Sequence, residues 1–358
     1  MLLFGDMCPK ISIVIATYNS QQTLEKSLKS IAQQTYPQNQ IEILIVDGGS
    51  TDETLKIAQK FQTKLISNPK VEPGYAKFLG LISATGDYLL YLDSDEALDN
   101  PKSIDVKIKF LRSHLNSIIC LSQGYSITTK ANFISKYISD FGDPFSAFMY
   151  RTSKLNTFFN KDMKRTCEID HSNDEIDIFN LKKIKYMPMI EITTMGSLVD
   201  LKVLKKEFAE LFEESHLIPH AFYMIVKKFP MVGMVKYDSV SHFSSNQFSS
   251  YLGKIKSRVR NNIHFSSDLG LVGYCGRSQF DTKLFKAKKY LFVPYVLLLI
   301  PLLIDTANLM KSRKDSRYSL HFVLSIYTFS LICIEFSKKI LGIKQLRKSY
   351  GESNIINS

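Results

Sequence analysis

The stretch GDYLLYLDSD, residues 86–95, ends an apolar run with two carboxylates separated by one serine. The run predicts a strand that is buried on both faces, as in a parallel sheet. Ligands of open α/β sheets bind at the carboxyl ends of the strands, where Asp93 and Asp95 would lie. Carboxylate oxygens suit Mg²⁺ or Mn²⁺, which take further ligands from water and substrate phosphate. A solvated turn is the alternative, and the upstream sequence favours the metal site.

Two strand-and-helix units precede this stretch. Ile11–Ala16 and Ile41–Val46 are rich in β-branched and apolar residues, and each run is followed by a segment with helical periodicity. Because strand-helix-strand crossovers are right-handed, the two strands are expected to be parallel. Their ends, at Thr17 and Asp47, would then lie on one rim of the sheet.

Three short motifs lie at the ends of the predicted strands: ATYN at 16–19, VDGGSTD at 46–52, and GDY leading to LDSD at 86–95. In this order they resemble the family 2 glycosyltransferases of the GT-A fold. The ordered triple is far more specific than any one motif, and it covers roughly the first hundred residues. The resemblance implies an α/β fold in which helices flank a Rossmann-like, mostly parallel sheet that binds a sugar nucleotide.

The resemblance implies a nucleoside site at the first two strand ends. Asp47 would accept a hydrogen bond from an N–H group of the base, most simply uracil. Thr17 and Tyr18 would line the base and ribose, and the ring of Tyr18 could stack. Asn19 is a further candidate for binding the sugar-nucleotide donor, although a role as a helix cap explains it at least as well.

The resemblance also implies residues around the diphosphate. Asp95 would bind Mn²⁺ or Mg²⁺, while Asp93 would face the ribose or a metal-bound water. Lys77 matches a basic position near the diphosphate, with an ordinary surface lysine as the alternative, and Phe78 replaces the usual Asn. His242 is expected as a third metal ligand, with a structural histidine as the alternative.

A general base is expected because the attacking acceptor hydroxyl must lose its proton near the transition state. In the family this role falls to an acidic pair at a helix start, followed by a strand and a histidine. Glu213 and Glu214 are the best match, with Val232–Tyr237 as the strand. The usual Glu-Asp pair has become Glu-Glu, and His216 replaces another acid. We predict Glu214 as the base, with surface glutamates as the alternative.

Charge and hydropathy set the end of the chain apart from the rest. The 358 residues are 45% hydrophobic and carry a net charge of +12, and from Leu284 to Ser358 twelve basic residues face four acidic ones. The same segment holds the most apolar runs. This combination favours an anionic membrane surface over nucleic acid as the partner.

Two apolar segments lie in this tail, at Tyr290–Ile304 and Leu320–Ile334. Each has about fifteen residues, or roughly 22 Å of helix, against a hydrocarbon core of about 30 Å. A basic connector, residues 311–317, separates them. We predict a helical hairpin at residues 290–341 that lies in or dips into the cytoplasmic leaflet. Tilted crossing and simple packing on the soluble domain are the alternatives.

Compartment signals favour the cytosol for the catalytic part. Five scattered cysteines form no C-x-x-C pair, and Met1–Pro9 has no signal-peptide character. The expected location is therefore the cytoplasmic face of the cell membrane.

The sequence therefore predicts a membrane-associated, inverting glycosyltransferase. It would move a sugar from a UDP- or GDP-sugar to a hydroxyl or phosphate of a membrane-held saccharide or lipid acceptor, in envelope polysaccharide or glycolipid synthesis. Residues 1–110 would bind the donor, residues 111–283 the acceptor, and residues 284–358 the membrane. The alternative is a non-catalytic sugar-nucleotide sensor or scaffold, suggested by Phe78 and the altered acidic pair.

Overall fold

A nine-stranded mixed sheet organises the protein. The computed structural model describes residues 8–127, 131–182, 184, 188–244, 247–265 and 281–345. The strands within these ranges are β1 (Ile11–Thr17), β2 (Ile41–Asp47), β3 (Thr63–Ser67), β4 (Tyr88–Tyr91), β5 (Glu96–Leu98), β6 (Ile119–Leu121), β7 (Tyr125–Ser126), β8 (Glu168–Ser172), β9 (Ile176–Asn180), β10 (Leu198–Asp200), β11 (Met231–Val235) and β12 (Val240–His242).

Helices pack against this sheet and make up most of the described tail. They are α1 (Leu24–Ala32), α2 (Thr54–Gln59), α3 (Pro73–Ser83), α4 (Ser103–Ser113), α5 (Phe133–Phe141), α6 (Pro144–Tyr150), α7 (Asn156–Thr166), α8 (Leu201–Glu207), α9 (Ala221–Lys228), α10 (Phe248–His264), α11 (Lys283–Ala287), α12 (Phe292–Leu297), α13 (Ile300–Arg313) and α14 (Leu320–Ile340). Short 3₁₀ turns occupy Gln38–Gln40, Ala209–Phe212, Ser215–His220, Lys288–Leu291 and Ser316–Ser319.

The sheet order is β3-β2-β1-β4-β10-β6-β11-β9-β8. Strands β1 to β4 pair in parallel, as the strand-helix units predict. Strand β10 runs antiparallel between β4 and β6, and β9 is antiparallel to β11. The sheet is therefore mixed rather than mostly parallel, because strands from the second half of the chain insert beside β4.

Helix α3 packs unusually close to β1. A Cβ atom added at Gly80 would lie 2.2 Å from Cγ1 of Val14, so only glycine permits this approach. Lys77 lies one turn earlier on the same helix. The close packing therefore brings Lys77 to the carboxyl end of the central strands.

A second sheet of three strands, in the order β5-β12-β7, stands at the end of β4. Strand β12 is antiparallel to β5, and His242 is the register partner of Glu96. Because β5 directly follows the Asp93–Asp95 loop, this pairing brings a residue distant in sequence next to that loop.

A fully buried ion pair fixes the turn that leads into β12. Nζ of Lys107 on α4 lies 2.8 Å from Oδ2 of Asp238, and both side chains have no exposed surface. The Lys107 ammonium also donates to the hydroxyls of Ser103 and Ser122, and Ser103 donates to Asp238. Buried charges of this kind persist only when they are paired and hydrogen-bonded.

The tail differs from the predicted hairpin at its first segment. Helices α12 and α13 are bent by 93° at a break where Leu299 has a φ of +57°. Pro301 lies in the first turn of α13, where its missing N–H costs no helical hydrogen bond, so a new helix begins there. In the second segment, Ser316–Ile340 is the one helix among the described residues that is by itself long and apolar enough to cross a membrane.

One face of the tail packs on the rest of the protein. Phe148 on α6 contacts the rings of Phe292 and Tyr295, at centroid distances of 5.3 and 4.7 Å. Another face leaves large apolar side chains exposed; around the bend these are Leu297, Leu298, Leu299, Ile300, Leu303 and Ile304. The tail is thus docked on the α/β domain and still presents an apolar surface.

Cys8, Cys120, Cys167 and Cys333 are free thiols. Cys275 and residues 1–7, on which the compartment prediction also relied, lie outside the described residues.

The buried pair gives a stability prediction. Replacing Lys107 by alanine leaves Asp238 charged and buried without its partner, so we expect the free energy of unfolding to fall by about 3–5 kcal/mol. Denaturant unfolding measures this change. The control is Lys109→Ala on the same helix, whose side chain is 79% exposed and should cost no more than about 0.5 kcal/mol. Equal losses in the two variants would contradict the assignment.

Candidate active site

The loop after β4 carries an ion pair at the sheet rim. Nζ of Lys77 lies 2.8 Å from Oδ1 of Asp93, whose Oδ2 accepts a hydrogen bond from Thr194. Burial lowers the pKa of the Lys77 ammonium, but the facing Asp93 carboxylate outweighs that effect and the pKa is raised overall. Lys77 therefore stays charged and lies beside Asp93, while its predicted role near a diphosphate stays a prediction.

Asp95 faces His242 across the same loop. Oδ2 of Asp95 lies 3.6 Å from Nε2 of His242, and the Ser139 hydroxyl lies 2.8 Å from Nδ1 of this imidazole. The ring stacks on Tyr125 with centroids 4.6 Å apart. Burial lowers the pKa of His242 and Asp95 raises it, with a net rise; for the Asp95 carboxyl, burial raises the pKa and His242 lowers it, with a net fall. Each group therefore favours the charged form of the other.

Glu96 is a buried residue that the sequence reasoning missed. Its carboxylate accepts hydrogen bonds from the backbone N–H groups of Asp93 and Met195 and from the hydroxyls of Tyr125 and Thr194. Burial, and then the charge of Asp93, raise the pKa of Glu96. Its position immediately after the DSD motif was the only sequence signal. Glu96 joins the loop, β7 and the segment before β10 into one unit.

Asp47 is saturated by hydrogen bonds from its own rim. Its two oxygens accept bonds from the Thr17 hydroxyl, at 2.9 Å, from the N–H groups of Gly49 and Ser50, and from the Ser50 hydroxyl. A carboxylate offers about four acceptor positions. Asp47 thus holds the loop after β2 in shape, and a base N–H would have to share one of these positions.

The side chains of Tyr18 and Asn19 differ in their surroundings. Tyr18 is partly exposed, and its ring lies next to Gly48 at the carboxyl ends of β1 and β2. Asn19 has a φ of +48°, and its side-chain oxygen accepts a hydrogen bond from the N–H group of Thr51 at 2.9 Å. The Asn19 side chain therefore links the loop after β1 to the loop between β2 and α2. It does not cap α1, the helix that follows it.

Ser94 connects the two parts of the rim. Its hydroxyl lies 2.9 Å from the hydroxyl of Ser20, in the loop after β1, and its carbonyl oxygen accepts a hydrogen bond from Ser27. The Thr17–Asp47 corner and the Asp93–Asp95 loop are therefore parts of one surface. The structure brings together Thr17, Tyr18, Asn19, Asp47, Lys77, Asp93, Asp95 and His242.

The predicted base Glu214 is not joined to this cluster by any hydrogen bond or ion pair that the structure describes. Its carboxylate pairs with Nε2 of His216 at 3.1 Å and is 54% exposed. The following turn, Ser215–His220, packs against α3, the helix that carries Lys77. Glu214 therefore directly precedes a turn that contacts the helix of Lys77.

A metal ion can be tested against the geometry of this rim. Among the described residues, no group of three His, Cys, Asp or Glu side chains is arranged to hold an ion. Two ligands each about 2.1 Å from one ion are roughly 3 to 4 Å apart, depending on the angle, so the 3.6 Å between Asp95 and His242 fits a shared ion. One carboxylate and one imidazole suit Mn²⁺, which would need substrate oxygens and water as its other ligands.

The sequence similarity to known proteins lies in the first part of the chain. Residues 12–169 match the family model for glycosyl transferase family 2. The chain is 32% identical over 120 residues to the poly(ribitol-phosphate) β-N-acetylglucosaminyltransferase TarS of Staphylococcus aureus, which covers 31% of this chain and 20% of TarS. It is 35% identical over 97 residues to the GalNAc(5)-diNAcBac-PP-undecaprenol β-1,3-glucosyltransferase of Campylobacter jejuni, covering 25% of this chain and 31% of that enzyme. The chain thus matches only a minor part of each relative's length.

Similarity of fold extends much further along the chain. The mannosyltransferase PcManGT of Pyrobaculum calidifontis, solved in complex with GDP-Man and Mn²⁺, superposes with a TM-score of 0.50 over 94% of this chain and 88% of its own. The sequence identity is 12%, so this likeness bears on the fold alone. It confirms the predicted GT-A-type α/β fold.

The role of Glu96 can be tested by an isosteric change. In Glu96→Gln an NH₂ group replaces one of the two carboxylate oxygens, and each of these oxygens accepts a hydrogen bond from a backbone N–H group. Two donors would then face each other, so we expect the free energy of unfolding to fall by about 1–3 kcal/mol. The control is Glu53→Gln, at a side chain that is 58% exposed and should change stability by less than about 0.5 kcal/mol. A Glu96→Gln variant as stable as its parent would contradict this role.

Proposed function

We propose that the chain, whose residues 12–169 match the family model for glycosyl transferase family 2, transfers a sugar, with inversion, from a UDP- or GDP-sugar to a membrane-held acceptor. The acceptor group is a hydroxyl or phosphate of a saccharide or lipid. The observation that carries the proposal is the convergence of Lys77, Asp93, Asp95 and His242 on one rim. That rim is continuous with the Thr17–Asp47 corner through Ser94.

Residues 1–110 bind the donor in this proposal. Tyr18 stacks against the base, Thr17 and Asn19 border the base and ribose, and Asp47 accepts from the base N–H. Lys77 offsets charge on the diphosphate, and Asp93 orients Lys77 through their 2.8 Å contact. A buried lysine held by a carboxylate is pre-positioned, so little side-chain freedom is lost when the donor binds.

Asp95 and His242, with Asp93 beside them, would hold Mn²⁺ or Mg²⁺. When bound, such an ion stabilises the negative charge of the departing diphosphate. The imidazole would bind a metal in its neutral form, so His242 would hold the ion without the proton that Asp95 favours. Stacking on Tyr125 and the contact with Ser139 fix the imidazole so that Nε2 faces Asp95.

Glu214 is proposed as the general base within the acceptor half, residues 111–283. Its carboxylate is exposed, and its contact with His216 could orient it toward an acceptor hydroxyl. The turn that follows it packs on α3 and so adjoins the donor half. Proton removal by Glu214 would accompany attack on the anomeric carbon.

The acceptor is proposed to be held at the cytoplasmic face of the cell membrane. The basic tail, residues 284–358, and the exposed apolar residues of the bend support this location. The names of the two relatives refer to a poly(ribitol-phosphate) and an undecaprenol-linked acceptor. We therefore place the reaction in the synthesis of an envelope polysaccharide or glycolipid. Both relatives are transferases by name, which does not favour the sensor alternative.

The metal-site proposal predicts loss of turnover in Asp95→Asn. Nucleotide release from UDP- and GDP-sugars, assayed with Mn²⁺ and membrane acceptors, should fall by about a hundredfold or more, because stabilisation of the leaving group is lost. Glu53→Gln is the surface control and should keep full activity. Retained turnover in a folded Asp95→Asn protein would contradict the proposal.

Two neighbouring glutamates allow a matched test of the base. Glu214→Gln should lower kcat by about 10²-fold or more while donor-dependent thermal stabilisation is kept. Glu213→Gln, the adjacent change, should leave kcat within about twofold. Indistinguishable rates in the two variants would show that Glu214 is an ordinary surface residue.

A further inference from the structure

A cavity of about 400 Å³ lies between the tail and the α/β domain. Helix α13 forms one wall, and the other lining residues belong to α7, the end of α5, α6 with the residue after it, and the start of α14. Four cationic side chains line it: Arg151, Lys161, Arg165 and Arg313. Basic side chains gathered around one cavity favour an anionic ligand when carboxylates leave part of their charge uncompensated.

Carboxylates compensate only part of this charge. Arg151 pairs with Asp305 at 2.9 Å, and Arg165 pairs with Asp162 at 3.4 Å. Asp162 and Asp305 line the cavity, and the buried Asp140 pairs with Arg313, so three carboxylates face the four cations and a net charge of +1 remains. A guanidinium has five N–H donors, and each described pair uses one or two of them, so donors remain for a phosphate. The pairs also fix the direction of each guanidinium.

Arg313 is the most rigidly held of the four cations. Its Nε atom donates to the buried Asp140 at 2.9 Å, and Asp140 also accepts from the hydroxyl of Tyr318. The guanidinium carbon lies 3.8 Å from the ring centre of Phe158. This cation is fixed in direction even though it belongs to the tail.

The cavity is continuous with the exposed apolar surface of the bend. Leu303 and Ile304 on α13 are 52% and 56% exposed, and Asn308 in the cavity lining follows Ile304 by four residues on the same helix. Asp305, the residue directly after Ile304, also lines the cavity, so the cavity adjoins the apolar surface on this helix. A phosphate next to hydrocarbon is the chemistry of a lipid headgroup.

We propose that this cavity binds the phosphate headgroup of an anionic membrane lipid, while Leu297–Ile304 enter its acyl region. The lipid would anchor α13 at a defined depth and orient the α/β domain on the membrane. This lipid binding does not depend on the proposed transferase activity, so the two proposals can be tested independently.

The test measures binding of the full chain to vesicles. Vesicles of phosphatidylcholine alone are compared with vesicles containing one part in five of phosphatidic acid, whose headgroup is a phosphomonoester. We expect wild type to prefer the acidic vesicles by about tenfold or more, and Lys161→Ala/Arg165→Ala to lose most of that preference. The control Lys311→Ala/Lys314→Ala removes the same charge from exposed positions at the end of α13 that do not line the cavity, and should lose about threefold or less.

Three results would overturn the proposal. The first is an equal loss of preference in both double variants, which would show that the protein is attracted by its surface charge in general and not by the cavity. The second is a wild type that binds neutral and acidic vesicles alike. The third is thermal stabilisation of lipid-free protein by millimolar inorganic phosphate that equals the stabilisation by acidic vesicles, which would identify a free-anion site. Comparable melting temperatures confirm that the variants are folded, and Lys161→Glu alone should reduce the preference as well.

Discussion

The pairing of β12 with β5 is the constraint on which the candidate site depends. It places His242 opposite Glu96, at the end of the loop that carries Asp93 and Asp95. Glu96 holds that loop from inside through the N–H group of Asp93, and the buried pair of Lys107 and Asp238 holds the turn before β12. A rim assembled from two distant parts of the chain can thus keep fixed distances between its polar groups without a ligand.

Helix α5 links this site to the tail through two consecutive residues. Ser139 contacts the imidazole of His242, and Asp140 holds Arg313 and Tyr318 of the tail. Adjacent residues on a helix point about 100° apart, so one helix can contact both neighbours. The position of the tail on the α/β domain is therefore connected through α5 to the side chain that faces Asp95. In our proposals, membrane attachment and donor binding share this helix.

The sequence predicted the features that depend on short, local patterns of residues. β-Branched residues and apolar runs identified β1, β2 and β4, and the three motifs located Thr17, Asp47 and Asp95 at or just after the strand ends. The missed features depend on contacts between distant segments. Nothing near Lys107 signals that a lysine is buried against Asp238, and the insertion of β10 beside β4 has no local signature. The role of Glu96 likewise depends on donors far away in the sequence.

The central claim is that Asp95 and His242 bind one divalent cation at this rim. The most direct measurement is the pulsed electron paramagnetic resonance of Mn²⁺ bound to the full chain with a nucleotide sugar. The account predicts a nitrogen coupling from one imidazole that disappears in His242→Gln, with weaker Mn²⁺ binding in Asp95→Asn. A bound Mn²⁺ without nitrogen coupling, or a coupling unchanged in His242→Gln, would contradict the account.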